Sequence, residues 1–514
     1  MAQLSRLLSI FAERPWTWLA VFLAVVATFA VPAIIRLSVL WRIPTAGEDA
    51  ASAEEQRKAY LGGARKLYTD GYRKFRKEVF QIITSRKSPV IVVSPDFLPE
   101  LKGMPDSILS MSAAVDETME TKYTRIDTHV PIIPHTIKGS LTPSLPRLNP
   151  LLHRETEDTL ALELPSSTEW QEVDIHKVLL RVVSMVSGRI FIGPELCRTE
   201  KYLDTAINYT MDVMIAQRVV QHIRPWLRPF TVPFLSYIKK LDQRIKEAED
   251  FLQPVVELRK KAAEDPSVEA PDDMLQWLLQ GQGEFTDAAS QNLARVQLGL
   301  SFAAIHTTTL TATNAFYDLV ALPGFAQELR EEVVQALSEN GGVLTSSALQ
   351  SMKKMDSFLK EVLRLSPASM ASFQRKVLSP FTLSSGQRIP AGVTIEVPAV
   401  AVNADPANYP DADTFNPLRF YNLRREAGAR ESAAQNQFVS VTQQSLTFGY
   451  GRHACPGRFF AANEIKMILA SALVVWEFGM PEGEGGRYKN VEFAHMSIPD
   501  FSKKLLCRKT SGCA

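Results

Sequence analysis

The stretch that decides the fold is Phe448-Gly-Tyr-Gly-Arg-His-Ala-Cys-Pro-Gly457, a glycine-rich segment that contains a single cysteine. Its glycines allow positive φ and let the backbone approach a flat ligand closely. A helical pattern follows at once over residues 458–475, so the thiol of Cys455 comes just before a predicted helix. A thiolate in that position lies in a positive field and accepts backbone N–H groups, and both effects lower its pKa.

A lone thiolate in such a loop suits the axial position of a haem iron, whereas the cysteine by itself is more typical of a buried structural thiol. The segment resembles the haem-binding loop of the cytochrome P-450 family, with Phe448, Gly451, Cys455 and Gly457 in the family's places. His453 stands where the family has arginine, and histidine is charged only part of the time near neutral pH. The resemblance implies that Cys455 is the metal ligand of a bound haem and that His453 meets a haem propionate.

The composition of the 514 residues is that of a globular protein, with 46% hydrophobic and 22% charged residues. A net charge of +1 gives no indication of nucleic-acid binding, and we expect none. The cysteines have neither CxxC nor zinc-site spacing, which argues against a disulfide scaffold and a structural metal. They are Cys197, Cys455, Cys507 and Cys513. We expect a reducing compartment, in which the glycosylation match at residues 208–210 stays unused.

An uncharged run near the start of the chain predicts a transmembrane helix. Residues 16–35 give about 20 residues without charge, enough to span a bilayer, and Trp16 and Trp18 suit its interface. A signal peptide is the alternative, but the run lacks a clear small-residue cleavage site. The positive-inside rule favours a cytosolic C-terminal side because of Arg57, Lys58, Arg65 and Lys66. We therefore expect residues 1–45 to form a single-pass anchor in the endoplasmic reticulum and residues 46–514 a cytosolic catalytic domain.

The remaining patterns are mostly helical, and the longest covers residues 286–322. Thr286 or Asp287 is its predicted N-cap and Pro323 its stop, which gives a helix on the order of 50 Å long. Other helices are predicted at residues 60–80, 241–261, 325–339 and 352–365, and strands at residues 90–93, within 381–400 and in a hairpin at 488–507. The resemblance implies the cytochrome P-450 fold, mainly α with a small β region.

An aromatic segment, residues 224–237, has two interpretations. Trp226, Phe230 and Phe234 belong either to a loop that dips into the membrane surface or to a loop packed in the core, and the sequence favours neither.

Glu361 and Arg364 lie three residues apart on one predicted helix and therefore share a face. An isolated pair of this kind usually lies on the surface and contributes little energy. In the resembled family, such a pair joins an arginine from a later segment in a buried triad behind the haem loop, which here implies Arg419. Charge-assisted bonds would then hold the loop in place. Arg375 falls at the family's place for a propionate contact.

In the long helix the chain reads Ala303-Ala-Ile-His-Thr-Thr308, a run of small residues that suits close helix packing. The family has a small pair, an acid and a threonine here, so the resemblance implies that Ala303 makes room for oxygen. It also implies that Thr307 hydrogen-bonds dioxygen and relays protons. His306 replaces the acid, and histidine either shuttles protons or bonds locally. Both are predicted catalytic residues, with Thr307 favoured.

The family's layout also predicts a substrate pocket and two supporting features. The predicted substrate contacts are Phe302, Ala303, Met370, Phe373, Met496 and Ile498. We find no Trp-x-x-x-Arg helix for a second propionate, and His135 and Lys138 lie in the corresponding region. The basic residues near the loop form either a docking face for an acidic partner or an ordinary surface; they are Arg452, Arg458 and Lys466.

These features together predict a membrane-anchored haem-thiolate monooxygenase. It would use O₂ and electrons from an NADPH-cytochrome reductase to oxidise an apolar small molecule. The local sequence resembles filamentous-fungal members that act on secondary metabolites, notably terpenoids. One alternative is a haem-thiolate isomerase or dehydratase that needs no O₂, against which the presence of Thr307 argues. The other is a non-catalytic haem-binding membrane protein.

Overall fold

The computed structural model describes residues 15–47, 52–265, 267–426 and 430–510. Within these residues the chain is mainly helical with small sheets, which confirms the fold class. Residues 1–14 of the predicted anchor and Cys513 lie outside the described residues. The three cysteines that the structure describes are free thiols.

The first helices are α1 (Pro15–Trp41), α2 (Ala53–Gly62), α3 (Arg65–Lys74), α4 (Leu98–Leu101), α5 (Met111–Met119), α6 (Thr121–Thr124), α7 (Ile132–Thr136), α8 (Thr142–Glu163), α9 (Ile175–Phe191), α10 (Glu200–His222) and α11 (Arg228–Thr231). They are followed by α12 (Ser236–Ala262), α13 (Met274–Gly281), α14 (Ala288–Gln291), α15 (Leu293–Val320), α16 (Pro323–Glu339), α17 (Ser346–Ser351), α18 (Lys353–Leu365), α19 (Ala399–Asn403), α20 (Arg419–Glu426), α21 (Arg430–Gln435) and α22 (Arg458–Val475). A π-helical turn, Ile137–Leu141, joins α7 to α8.

The strands are β1 (Val79–Ile82), β2 (Val90–Val93), β3 (Leu109–Ser110), β4 (Gln171–Val173), β5 (Ser372–Val377), β6 (Phe381–Thr382), β7 (Arg388–Ile389), β8 (Thr394–Val397), β9 (Trp476–Gly479), β10 (Val491–Phe493), β11 (Met496–Ile498) and β12 (Leu505–Lys509). The largest sheet has the order β1-β2-β8-β5-β3, and β2 pairs with β8 in parallel. All four residues of β2 are buried, as their β-branched run predicts. The predicted terminal hairpin is correct for β10 and β11, but β12 pairs with β4 and β9 in a separate sheet.

Helix α1 contains the predicted transmembrane run and extends beyond it. Within the described ranges it is the one helix that is long and apolar enough to cross a membrane, over Leu19–Trp41. The end of α1 and the residues just after it contact the rest of the chain, because Leu40 and Ile43 are buried in a core cluster. The Arg36 guanidinium also donates to the Gly392 carbonyl at 3.2 Å.

The long helix predicted over residues 286–322 is divided at Asn292, so the predicted length of about 50 Å was wrong. Asp287 caps the short α14 by accepting from the Ser290 N–H, and Asn292 caps α15 by accepting from the Arg295 N–H. The 28 residues of α15 therefore span about 42 Å. Pro323 begins α16 as well as ending α15, because proline suits the first turn of a helix.

The aromatic segment at residues 224–237 folds into α11 and a short 3₁₀ turn, Val232–Phe234. The side chains of Trp226, Phe230 and Phe234 are between 67% and 78% exposed. The packed-core interpretation is therefore wrong for these three rings.

The main hydrophobic core lies where α9, α15, α18 and α22 meet. Phe358 on α18 is fully buried there, with its ring 5.7 Å from that of Phe325 and 5.9 Å from that of Phe415. Since α18 also carries Glu361 and Arg364, this packing fixes the helix that supports the cysteine loop.

Replacing Phe358 tests this packing. We expect Phe358→Ala to lower the free energy of unfolding by about 3–5 kcal/mol, because it removes a buried ring and leaves a cavity. The matched control Phe230→Ala removes an exposed ring and is expected to change it by less than about 0.5 kcal/mol. Denaturant titration measures both values, and equal effects would contradict the packing described.

Candidate active site

The cysteine loop turns tightly and ends at the first turn of α22. Gly449 and Gly451 have φ of 80° and 71°, the left-handed region that glycine adopts without strain. The Cys455 N–H donates to the Phe448 carbonyl at 2.8 Å, and this bond closes the loop. The helix begins at Arg458, as predicted, and the Arg458 guanidinium donates to the Cys455 carbonyl at 2.9 Å.

The Cys455 thiol experiences opposing influences. Burial is the strongest influence and leaves the pKa of Cys455 raised, although the backbone N–H groups of Gly457 and Arg458 and the Arg458 guanidinium act to lower it. The lowered pKa expected from the sequence is therefore wrong for the thiol in this structure. Hydrogen bonds from backbone N–H groups favour the thiolate form. The loop therefore offers one sulfur with donors already directed at it, which is the arrangement a thiolate ligand to a metal requires.

A cavity of about 400 Å³ lies between the cysteine loop and α15. One face of α15 lines it through Ala303, Ala304 and Thr307, and Cys455 lines it from the loop. Other lining residues are mostly apolar and include Ile133, Ile137, Leu141, Phe191, Leu363, Phe448 and Phe460. Among the described lining residues, Cys455 is the one titratable side chain.

The predicted triad meets in a buried ionic cluster. The Arg364 guanidinium makes two bonds of 2.8 Å to the two carboxylate oxygens of Glu361. Arg419 Nε lies 3.1 and 3.3 Å from the same oxygens. All three side chains are at most 8% exposed, so each charge is neutralised by bonds within the protein.

Arg375 and His453 approach one another beside the cysteine loop. Burial lowers the pKa of Arg375 to about 10, and Asp106 opposes that shift. Arg375 has no carboxylate within ion-pair distance in the described part of the chain; its guanidinium stacks on the Phe373 ring and donates to a carbonyl. Burial also lowers the pKa of His453, whose Nε2 lies 3.1 Å from an Asp106 carboxylate oxygen. His453, the predicted propionate ligand, is therefore already paired with the Asp106 carboxylate.

The two predicted catalytic residues face different directions. Thr307 lines the cavity, and its hydroxyl donates to the Ala303 carbonyl at 2.8 Å. His306 Nε2 lies 3.2 Å from the Ile207 carbonyl on α10, and burial lowers the pKa of His306. His306 is not among the lining residues of the cavity.

Of the six predicted substrate contacts, Ala303 lines this cavity and the other five do not. Phe302 packs against the α10–α12 cluster, and Met370 is fully buried in another core cluster. The Phe373 ring packs beneath the Arg375 guanidinium. Met496 forms a β-bridge to the lining residue Ser369, and Ile498 pairs with Val491 in the hairpin. Their roles as substrate contacts stay predictions.

Three basic candidates lie away from their predicted positions. His135 is 57% exposed and lies 3.7 Å from Glu284, and Lys138 is exposed. Ile133, Ile137 and Leu141, spaced four residues apart along α7 and the π-helical turn, line the cavity instead. This segment therefore presents no basic group to the cavity. Lys466 is buried and bonds to Asp356 at 2.5 Å, so it is excluded from a docking face.

Sequence reasoning missed the wall formed by Ile133, Ile137 and Leu141, although their four-residue spacing was visible. It also missed Asp106 as the partner of His453, since no local pattern links residues so far apart in the chain. Glu464, the one acid in α22, was a visible signal that was not used.

The donor set fits a haem. A single buried thiol and small residues on α15 line one apolar cavity, and a buried guanidinium without a carboxylate partner lies nearby. A haem is flat and apolar with carboxylates at one edge, and thiolate is one of its axial ligands.

Comparisons with known proteins agree with this geometry. The family model described as Cytochrome P-450 matches residues 135–499. Cytochrome P-450 monooxygenase ATR3 of Stachybotrys chlorohalonatus is 39% identical over 82% of this chain and 89% of its own. Cytochrome P-450 monooxygenase BOA4 of Botryotinia fuckeliana is 34% identical, over 82% and 84% of the two chains. Cytochrome P-450 monooxygenase AtmP of Aspergillus flavus is 33% identical, over 86% and 84%.

The chain therefore belongs to the cytochrome P-450 family. Membership of this family implies a haem-thiolate cofactor. Like these relatives, the chain belongs to the monooxygenase class of enzymes. The predicted family and the predicted enzyme class are confirmed.

Replacing Glu361 tests the ionic cluster. We expect Glu361→Gln to lower the free energy of unfolding by about 3–5 kcal/mol, because it leaves two buried guanidiniums without a carboxylate. The control Glu328→Gln breaks a more exposed ion pair, 2.9 Å long, between Glu328 on α16 and Lys354 on α18. It should lower the free energy of unfolding by less than about 1 kcal/mol. Denaturant titration and haem content per chain are measured together; a full haem complement and unchanged stability in Glu361→Gln would disprove the supporting role.

Proposed function

We propose that this protein oxidises an apolar small molecule, of the terpenoid secondary-metabolite type, with O₂ and electrons from an NADPH-cytochrome reductase. The observation that carries the proposal is the single apolar cavity onto which both the Cys455 thiol and the Thr307 face of α15 open. Family membership supports the haem-dependent chemistry. When bound, haem supplies the iron at which O₂ is reduced and an oxygen atom is transferred.

Each element of the loop then has a defined task. Cys455 binds the iron as thiolate, and the N–H groups at the start of α22 stabilise its charge. The Glu361 cluster holds the backbone behind the loop. Arg375 and His453 bind the carboxylates at the haem edge, and Arg375 is favoured as the stronger ligand because its charge has no carboxylate partner within ion-pair distance in the described chain.

Thr307 is the residue we assign to oxygen binding and proton transfer. Its hydroxyl hydrogen is directed at the Ala303 carbonyl, so its oxygen lone pairs remain able to accept a hydrogen bond from the cavity. His306 bonds to the Ile207 carbonyl, which supports the local, non-catalytic interpretation of that residue.

The walls of the cavity support an apolar substrate. Most lining residues are aliphatic, aromatic or small. The hydroxyls of Ser369, Ser372 and Thr311 already donate to backbone carbonyls, so they are poor partners for a polar substrate. The fungal origin of the relatives supports the assignment to secondary metabolism.

We propose that α1 anchors the protein in the endoplasmic reticulum membrane with the catalytic domain in the cytosol. The exposed rings of Trp226, Phe230 and Phe234 support a second contact with lipid, because aromatic rings favour the membrane interface. Arg452 and Arg458 remain candidates for the reductase docking face.

The test is the carbon monoxide difference spectrum of the reduced protein. A strongly red-shifted Soret band is expected in the wild type and is expected to vanish in Cys455→Ala. The control Cys197→Ala removes a buried thiol from another region and should leave the band unchanged.

Turnover with NADPH and reductase separates the remaining alternatives. An oxygenated product supports the monooxygenase, a rearranged or dehydrated product formed without NADPH supports the isomerase, and haem without any turnover supports the non-catalytic protein. A protein without haem, or a spectrum that does not respond to Cys455→Ala, would overturn the proposal.

Thr307→Ala tests the proton-transfer assignment. We expect product formed per NADPH to fall by about tenfold or more while hydrogen peroxide per NADPH rises, because a group that directs protons is lost. The control Thr309→Ala removes a hydroxyl from the buried opposite face of α15 and should leave the ratio unchanged. Equal ratios in Thr307→Ala and the wild type would show that Thr307 has no such role.

A further inference from the structure

The proposed reaction needs a source of protons at the cavity, because a monooxygenase consumes protons when one oxygen atom leaves as water. His306 stands where the resembled family has an acid, and it bonds to a carbonyl outside the cavity lining. Apart from Cys455, the described lining residues carry no titratable group. A buried acid that supplies protons to the cavity would therefore lie behind its wall.

Glu464 is such an acid, one helical turn behind that wall. Phe460 and Ala461 of α22 line the cavity, and Glu464 follows them at i+4 and i+3 on the same face. The Ser187 hydroxyl donates to Glu464 Oε1 at 2.7 Å.

The facing helix α9 repeats this spacing. Its Phe191 lines the cavity four residues after Ser187, and the Phe191 and Phe460 rings lie 5.7 Å apart. The Ser187–Glu464 bond thus lies beside the aromatic pair, about 6 Å farther along both helices.

The Glu464 carboxyl is fully buried and only half bonded. Its Oε2 has no hydrogen-bond partner in the described chain, and no basic side chain there lies within ion-pair distance. Burial raises the pKa of Glu464 to about 8, and the Ser187 hydroxyl opposes that shift. Since Ser187 donates to Oε1, a neutral carboxyl carries its proton on Oε2, the oxygen that lacks a partner.

Two more unpartnered polar atoms lie around a neighbouring small cavity. The Tyr202 hydroxyl and Gln297 Oε1 are buried without a hydrogen bond to the described chain. Together with Ser301 and apolar residues they line a cavity of about 30 Å³, more than one water molecule needs.

Tyr202 connects this small cavity to the acid. Its ring and hydroxyl lie against Gly188, where a Cβ would come within 2.7 and 3.0 Å of them, and Gly188 follows Ser187 directly. Burial raises the pKa of Tyr202; the nearby Ser301 hydroxyl, which makes no regular hydrogen bond to it, lowers the pKa, and Cys197 and Glu464 raise it.

A surface groove of about 530 Å³ shares Leu252 and Ala294 with the small cavity and leads toward solvent. The groove and the small cavity are therefore adjacent, and Tyr202 lines the small cavity while also lying close to Glu464.

We propose that Glu464 is a proton-storing residue of this enzyme. It takes its proton from solvent through water bound among Tyr202, Ser301 and Gln297, and it gives that proton to water in the haem cavity. The inference rests on the proposed monooxygenase function. Glu464 acts through water and touches neither substrate nor haem, so it is a positioning residue for protons.

The proton balance of the step is closed. The Oε2–H bond of the acid breaks, its proton passes to a water molecule, and Glu464 is left as carboxylate. A proton from bulk solvent, carried by the bound water, then re-forms the Oε2–H bond. No oxidant or reductant is needed beyond those of the reaction itself.

The groups that face Glu464 are neutral. They are Ser187 on α9, which bonds to it, and Tyr202 on α10; on α8, Asn149 accepts from Asn463, the residue before Glu464. The thiol of Cys197 lies near Tyr202 and, through burial first, has its pKa raised to about 11. Glu464 is therefore the member of this set that titrates near neutral pH.

Infrared spectroscopy of the full-length holoenzyme tests the stored proton directly. We expect the wild type to show the carbonyl stretch of a protonated carboxyl that shifts in D₂O and is missing in Glu464→Gln. The free energy of unfolding of the wild type should also fall, relative to that of Glu464→Gln, as the pH rises from about 5 to 8. The folded acid keeps its proton over that range whereas the unfolded acid has released it, so folding binds more protons. A wild type without this band would overturn the proposal.

Turnover tests the delivery of the proton, with a terpenoid hydrocarbon chosen by the spectral shift that it causes. Product per NADPH is expected to fall by about tenfold in Glu464→Gln and to recover in part in Glu464→Asp. The control Glu157→Gln changes a half-exposed carboxylate on α8, which packs against α22, and should leave coupling and the infrared band unchanged. Coupling equal to wild type in Glu464→Gln across the pH range would overturn the proposal.

If Glu464→Gln fails to fold, Tyr202→Phe removes one hydroxyl from the water site at almost constant volume. Lower coupling and a larger solvent isotope effect are expected, and unchanged values would overturn the water route. A wild type that makes no oxygenated product would overturn the proposed function, while the infrared band and the pH dependence of stability would still decide whether Glu464 holds the proton.

Discussion

Glu361 holds the guanidiniums of Arg364 and Arg419 in a region that water does not reach. The remaining guanidinium N–H groups donate to backbone carbonyls of residues 403–414, so one carboxylate organises a segment that has little regular structure. On the same helix, Lys360 donates to the Gln435 and Gln437 carbonyls, on the approach to the cysteine loop. A buried ionic cluster of this kind adds little net stability, because desolvation offsets the attraction. Its effect is to select one arrangement of loops around α18, and the position of the sulfur follows from that arrangement.

The apolar cavity imposes a second constraint, since a charge on its wall would be costly unless it were paired. The ionisable groups accordingly lie one layer back. His306 bonds to a carbonyl of α10, Arg375 stacks on Phe373, and Glu464 bonds to Ser187 behind the aromatic pair. Thr307 and Cys455 remain as the polar side chains with assigned tasks on the wall itself. This layering leaves the wall apolar while the groups proposed to donate protons and to bind the haem carboxylates lie behind or beside it.

Elements with a strong local pattern were predictable from the sequence. Helix α22, strand β2 and the helices at residues 325–339 and 352–365 follow from apolar spacing and turn residues, and the structure confirms them. The Glu361 cluster needed the family resemblance, because an i, i+3 pair by itself does not reveal burial. What failed depends on long-range packing or on a single cap. Asn292 divides the long helix through one side-chain bond, and the pairing of His453 with Asp106 joins distant parts of the chain. His135 and Lys138 were misplaced because isoleucines occupy the inner face of their helix.

The end of α1 and the residues that follow it affect how the protein can be prepared without the candidate membrane helix. Leu40 and Ile43 are buried, and the Gln81 amide donates to the carbonyls of both, at 2.6 and 2.8 Å. A truncation that removes residues 1–45, the whole predicted anchor, would also remove these two core residues and the carbonyls that Gln81 of strand β1 bonds. The same contacts limit how far the domain swings about the end of its helix. In the proposed membrane-anchored protein, residues 36–43 would therefore help to set the angle at which the cavity meets the lipid surface, in addition to any loop that touches the bilayer.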